Sequence, residues 1–215
     1  MRKIAHRKLA ATIHCISGLR IGGSDEQLQI GGADLTCIKH PVTLKPYIPG
    51  TSIKGKMRSE LEKQLGRFGG TNQTEPCGCG KEDCLVCRVF GPHKNVGHRL
   101  GPTRIIVRDA QLIEGGDLEY KSENVINRVT GTAEHPRRIE RVAANAKFGL
   151  RIGLQIWDID EAVSCRGKRG GDAMMEFVSG GLRAVCETGL GSGVSKGSGE
   201  IELNDVQIDG QPVSL

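Results

Sequence analysis

This sequence predicts an α+β fold, and three observations carry that prediction. Ile53, Met57, Leu61 and Leu65 recur at every fourth position, which draws one apolar stripe down a helix. Phe148, Leu150, Ile152, Leu154 and Ile156 alternate strictly, the mark of a strand buried on one face. Around them the elements follow the order strand, helix, strand, insertion, strand, helix, strand. That is the ferredoxin-like arrangement which RNA recognition motifs also use. At 215 residues the chain fits a single domain, 1–215, with insertions, and is long enough to bury a core.

Residues 6–17 mix apolar and polar positions as an extended strand and run into a glycine turn, SGLRIGGSD. After an irregular loop, IPGTSIKGKMRSELEKQLG opens the first helix, with Thr51 or Ser52 as its cap. Residues from about 69 to 102 are rich in Gly, Cys, Pro and His without a steady period, so they read as an insertion. TRIIVRDAQLIEG then reads as a strand. The stretch from about 119 to 147 is polar, basic and weakly periodic, which fits a protruding hairpin better than core. After the alternating strand, GGDAMMEFVSGGLRAVCETG forms a second helix on Met174, Phe177, Val178, Leu182 and Val185, weakened by its paired internal glycines. GLGSGVSKGSG is a flexible loop, and EIELNDVQID closes as a strand.

The formal charge is +5, and Lys54, Lys56, Arg58, Lys63 and Arg67 crowd one segment. Such a cluster is either a solvated helix face or a site for a polyanion. Aromatic residues make up 3% of the chain, so a nucleic-acid reader built on it must lean on backbone contacts rather than stacked rings. The aromatic strand signature of RNA recognition motifs is missing. The first residues lack the apolar run of a signal peptide, and no apolar stretch approaches the about 18 residues of a membrane span. A cytoplasmic protein without a membrane partner is expected, with its eight cysteines reduced or metal-bound rather than paired as disulfides.

Cys77, Cys79, Cys84 and Cys87 sit in CGCGKEDCLVC. Four thiolates so close suit tetrahedral Zn²⁺ in a closed, structural site, with His93 or His98 able to replace one ligand and an iron–sulfur cluster as the lesser alternative. Cys15, Cys37, Cys165 and Cys186 are scattered, and Cys15 and Cys186 fit as small core residues. GLGSGVSKGSG, with Lys196, either cradles phosphate or is simply a turn, and it departs from the Walker pattern. Asp34 lies in a glycine-rich loop, where an Asp is ordinarily a turn former.

Taken together, LRIGGSD, IGGADLTCIKHPVT, YIPGTSIKGKMRSELE, INRVTGTAEHPRRIERVAANAKF and GLGSGVSKGSGEIEL closely resemble the repeated backbone subunit of type III-A CRISPR effector complexes, the Csm-type member of the RAMP superfamily. The likeness runs over nearly the whole chain, and the arm is its most specific part. It implies a ferredoxin-like RAMP core carrying a zinc-binding insertion and a protruding thumb hairpin. It implies copies of the chain aligned as a filament along a CRISPR RNA (crRNA), each covering six nucleotides, beside other type III subunits. Each copy would cut paired target RNA at the same interval, with Mg²⁺ or another divalent cation.

By the same resemblance Asp34 performs or supports cleavage, as general base or as metal ligand. Ser52, Lys54, Lys56 and Arg58 would meet guide phosphates at a helix N-terminus, and such contacts read no sequence. Arg128, Arg137, Arg138 and Arg141 would arm a thumb that pushes between bases, with Lys196 contributing from the glycine loop. The alternatives are a non-catalytic crRNA-binding assembly subunit and a backbone subunit of the Cmr-type or hybrid assemblies.

Overall fold

A computed structural model of the chain describes residues 1–22, 33–70 and 73–215. Its elements are β1 (Lys3–Cys15), β2 (Tyr47–Ile48), α1 (Gly50–Leu65), β3 (Phe68–Gly69), β4 (Glu75–Pro76), α2 (Leu85–Phe90), β5 (Ile105–Val107) and β6 (Ala110–Glu114). There follow β7 (Leu118–Ile126), β8 (Ala133–Val142), β9 (Lys147–Trp157), β10 (Ser164–Cys165), β11 (Lys168–Arg169), α3 (Gly170–Thr188), β12 (Ile201–Ile208) and β13 (Gln211–Pro212). The end of the glycine turn expected at SGLRIGGSD, residues 23–25, falls outside the described residues.

The main sheet has the order β13-β12-β1-β9-β6-β2, with β5 also on β9, and its strands pair antiparallel. Counting β5 and β6 as one, the four core strands lie fourth, first, third, second, which is the ferredoxin-like order. The single strand expected at TRIIVRDAQLIEG breaks in two at Arg108 and Asp109. There Arg108 donates its N–H to the Arg151 carbonyl at 3.0 Å while the Asp109 side chain leaves for α1.

Alternation decides the two faces. Phe148, Leu150, Ile152, Leu154 and Ile156 of β9 and Leu9 and Ile13 of β1 are buried, while His6, Lys8, Ala10 and Arg151 on the other face are exposed. α3 packs against β1, β9 and β12, and α1 packs against α3. A Cβ at Gly181 would stand 2.9 Å from Leu61 Cδ1 and 3.3 Å from Met57 Cε. The glycines that weaken α3 as a helix therefore let the two helices approach. β7 and β8 form a two-stranded sheet of their own, closed by a turn in which Asn127 Oδ1 accepts the N–H groups of Val129 and Thr130 at 2.8 and 3.1 Å. No helix among the described residues is long and apolar enough to cross a membrane.

Beneath the cysteine segment lies a buried ion cluster. Arg104 and Asp160 are both 0% exposed, and Arg104 grips the carboxylate with Nε at 3.0 Å and Nη2 at 2.9 Å. Arg88 adds Nη1 at 2.8 Å and the Trp157 N–H a further bond at 3.0 Å. Burial by itself would raise the Asp160 carboxyl, but the bonds from Arg104, Trp157 and Arg88 outweigh it and hold the group below its ordinary value. The stabilisation is therefore fully present above the unfolded carboxyl value of about 4 and is lost as pH falls through the folded one. Asp160→Ala should destabilise the protein by about 3–5 kcal/mol in urea unfolding, because it strands two buried guanidinium groups. A change within about 1 kcal/mol would show that the two guanidinium groups are not stranded when the carboxylate is removed.

Candidate nucleic-acid interface

The basic helix starts differently from its sequence reading. Neither Thr51 nor Ser52 caps α1; Pro49 is the capping residue and makes no side-chain bond. Asp109 fills the place instead, accepting the Gly50 N–H on Oδ1 at 2.7 Å. A Cβ at Gly50 would stand 2.4 Å from the Val107 carbonyl oxygen, so glycine is what allows this approach. A carboxylate at a helix N-terminus satisfies one orphan donor and is favoured by the dipole, which leaves less of that terminus for phosphate.

The α1 cations divide into three states. Lys54 is half-buried, and its ammonium is pushed down by burial and then by the charge of Arg58, with no carboxylate partner among the described residues. Lys56 pairs with Glu60 at 2.7 Å, which Lys63 also reaches at 2.9 Å. Arg58 is committed inward, donating to Glu62 at 2.8 Å and to the Cys77 carbonyl at 2.7 Å. Glu62 in turn accepts the Cys77 N–H at 2.8 Å. Arg58 therefore ties the helix to the cysteine segment, a role its place in the basic run does not reveal. Ser52 is partly exposed on the first turn.

A cleft of about 140 Å³ opens between the β7–β8 arm, the glycine loop, Arg20 and Leu35. It gathers Arg137, Arg141 and Lys196 with Arg20 and Lys121, two cations that sequence reasoning did not single out. Arg141 pairs with Glu119 and donates to Ser198 Oγ at 3.1 Å, and Lys196 pairs with Glu123 at 3.1 Å. Arg20 donates to Ser192 Oγ at 2.9 Å. The period of two along β8 turns Arg137, Ile139 and Arg141 into the cleft and Arg138 the other way, where its guanidinium stacks 4.6 Å from the Tyr120 ring centre. Arg128 is exposed in the turn at the arm tip, away from the cleft lining.

Asp34 is exposed and fastened to the arm. Its N–H donates to the Arg138 carbonyl at 2.9 Å, and its Oδ2 accepts the Arg138 N–H at 2.7 Å. Leu35, the next residue, bridges Ile139 and lines the cleft. Glu140, buried to 5% exposure, anchors the same segment by accepting the Cys37 N–H at 3.0 Å and Lys39 Nζ at 3.1 Å. Burial, then the Glu140 charge, pushes the Cys37 thiol up to about 11. Glu140 lies 103 positions from Cys37, so no local signal pointed to it.

The sulfurs of Cys77, Cys79, Cys84 and Cys87 lie within 4.8 Å of one another. Neighbouring sulfurs stand 3.9, 3.7 and 3.6 Å apart. A tetrahedron with Zn–S of about 2.3 Å has edges of about 3.8 Å, so the donor set fits that ion. His93 and His98, expected as possible substitutes, are outside this group: the His93 ring faces Glu75 and His98 Nδ1 accepts the Leu100 N–H at 3.2 Å. Burial pushes the Cys84 thiol up to about 11 and Cys87 higher still. Of the scattered cysteines, Cys15 and Cys37 are buried, and Cys165 and Cys186 only partly so.

Glu140→Ala should quicken amide exchange at Cys37 by about tenfold to a hundredfold, the worth of a hydrogen bond to a charged acceptor, while β9 amides keep their protection. Unchanged exchange at Cys37 would show that the Asp34 segment is held by other contacts.

The model of the RAMP superfamily matches residues 12–202. The CRISPR system Cms endoribonuclease Csm3 of Methanothermobacter thermautotrophicus is 38% identical over 95% of this chain and 86% of its own length. The Csm3 proteins of Methanocaldococcus jannaschii and Streptococcus thermophilus are 33% and 32% identical, over 95% and 93% of this chain and 81% and 88% of theirs. A crystal structure of the Csm3-Csm4 subcomplex in the type III-A CRISPR-Cas interference complex shares the fold at a TM-score of 0.62 and 23% identity, covering 97% of this chain and 80% of that one. The type III-B Cmr-beta complex bound to cognate target RNA contains a chain sharing it at 0.63 and 18%, over 95% and 61%. With its four-one-three-two sheet and a match running almost from end to end, the chain belongs to the RAMP superfamily and, within it, to the Csm3 family.

Proposed function

We propose that the chain is the repeated backbone subunit of a type III CRISPR effector complex. Copies of it lie along a crRNA and cut complementary target RNA at six-nucleotide intervals, in the cytoplasm and beside other type III subunits. The observation that carries this reading is the attachment of Asp34 to the arm, one residue from a cleft rich in cations. A protein that bends a strand and cuts it needs both parts held in one frame, and the paired bonds to Arg138 hold them so.

Ser52, Lys54 and Lys56 on the first turns of α1 take guide phosphates, and Arg58 supports the helix from behind through Glu62. Residues from about 119 to 147 act as the thumb, with Arg128 at its tip, Arg138 braced on Tyr120, and Arg137 and Arg141 facing Lys196 across the cleft. The pairs Arg141–Glu119 and Lys196–Glu123 are partly exposed, and such pairs are worth about 0–1 kcal/mol, so exchanging a carboxylate for a phosphate costs little. Residues from about 69 to 102 form a zinc-binding insertion on Cys77, Cys79, Cys84 and Cys87, stabilising rather than catalytic because four thiolates leave no open position.

Cleavage follows from geometry. A regular A-form strand keeps the 2′-OH out of line with the leaving 5′-oxygen, and displacement of one nucleotide by the thumb supplies the alignment. Asp34 Oδ1, the oxygen that Arg138 does not occupy, accepts the 2′-OH proton as the 2′-oxygen attacks phosphorus to give a 2′,3′-cyclic phosphate, and the 5′-oxygen leaves with a proton from water. A lone carboxylate beside a phosphate also suits Mg²⁺, which would supply positive charge at the scissile group.

Asp34→Ala should lower the rate of evenly spaced target cutting by at least about a hundredfold while guide binding is retained, read as a product ladder from a guided RNA. Unchanged cutting would leave the chain as a non-catalytic guide-binding subunit. Protein purified without chelator should carry one zinc per chain by elemental analysis, and stripping it should lower the melting temperature; absence of stoichiometric zinc would remove the insertion's assigned role.

A further inference from the structure

The open face of the sheet, opposite the helices, carries three cationic side chains with no ion-pair partner among the described residues. Lys8 of β1, Arg108 between β5 and β6, and Arg151 of β9 surround a hollow of about 350 Å³ with His6, Ile106 and Gly153. Among the described residues none of these three side chains forms an ion pair, although the Lys8 N–H donates to Asp209 Oδ1 at 2.7 Å, Arg7 is paired with Asp172 and Asp209, and Lys147 with Glu114. The lining holds no acid and no side-chain amide or hydroxyl.

Strand register builds the hollow. Lys8 and Ile106 both stand opposite Gly153, and Ala10 stands opposite Arg151. Arg108 is joined to Arg151 by its N–H at 3.0 Å. A Cβ at Gly153 would stand 2.9 Å from His6 Cε1, so the glycine is what lets the imidazole lie across the strand. The hollow shares no lining residue with the cleft beneath the arm, and α1 packs on the other side of the sheet.

We propose that this face is a second RNA-binding surface, which takes the phosphates of an unpaired RNA strand without reading its sequence. Three unpaired cations match a run of phosphates. The guanidinium planes and the His6 ring offer flat faces to unstacked bases, which compensates for the scarcity of aromatic rings. The missing amides, hydroxyls and acids leave nothing to discriminate base edges. A regular duplex keeps its bases stacked and offers none of these faces. The assignment stands independently of the cleavage reading, since it uses neither Asp34 nor the arm.

The test uses the full chain with Lys8→Gln and Arg151→Gln combined. Binding of a labelled single-stranded oligouridylate is followed by fluorescence anisotropy from about 50 to 200 mM salt. Affinity at low salt should drop about tenfold, and the log–log salt slope should become shallower by about 1.4, since each single-strand phosphate contact contributes about 0.7. Both residues are exposed, so the melting temperature should stay that of the unsubstituted chain. Gly153→Leu keeps every cation but fills the floor, and it should also weaken oligouridylate binding. An unchanged slope in the double variant, or unchanged binding by the Gly153 variant, overturns the proposal. So does loss of binding to a polyglutamate peptide with RNA binding intact, which would give the face to an acidic protein partner.

Discussion

The antiparallel pairing of β1 with β9, from Lys3 opposite Trp157 to His14 opposite Lys147, is the constraint on which the rest of the molecule depends. Because side chains alternate, that pairing sends Leu9, Ile13, Leu150, Ile152 and Leu154 to one face, and the helices must cover it. A slip of one residue would put the same apolar set in water. With the register fixed, β12 joins β1 on one side and β5 and β6 join β9 on the other, and each brings its loop to a defined edge. Gly50 can then sit against Val107, and Asp109 can reach the start of α1.

The charges of this chain fall into classes that its net charge conceals. Arg104 and Arg88 are buried against Asp160 and cannot be lent to a ligand. Arg141 and Lys196 are held by partly exposed carboxylates, where solvent keeps the bond weak enough to exchange, while Lys56 pairs with the buried Glu60. The side chains of Lys8, Arg108 and Arg151 form no ion pair among the described residues. A positively charged surface can thus stay ordered without its anion, because acids such as Glu119 and Glu123 hold the cations in place.

Arg58 and Glu62 connect the cysteine insertion to the first helix. Glu62 accepts from both Arg58 and the Cys77 N–H, so the order of the cysteine segment and the posture of α1 are one hydrogen-bonded unit. On the arm side Arg138 and Glu140, two positions apart on β8, hold Asp34 and Cys37, so the arm and the Asp34 segment are set by the same strand.

The sequence by itself determined the elements whose signal is local. The fourfold recurrence from Ile53 gave α1, the alternation from Phe148 gave β9, and CGCGKEDCLVC announced the sulfur cluster, because each pattern lies within one element. Near IGGADLTC it offered an Asp in a glycine-rich loop and a resemblance, but no partner for it. Only the tertiary structure decided that Asp109 caps α1, that Arg58 faces inward, and that Arg138 and Glu140 hold the Asp34 segment. It alone also gathered Lys8, Arg108 and Arg151 on one face. The physical reason is range: periodicity reports what lies within a few residues, whereas a hydrogen bond between Cys37 and Glu140 exists only once strands far apart in the chain are brought into register.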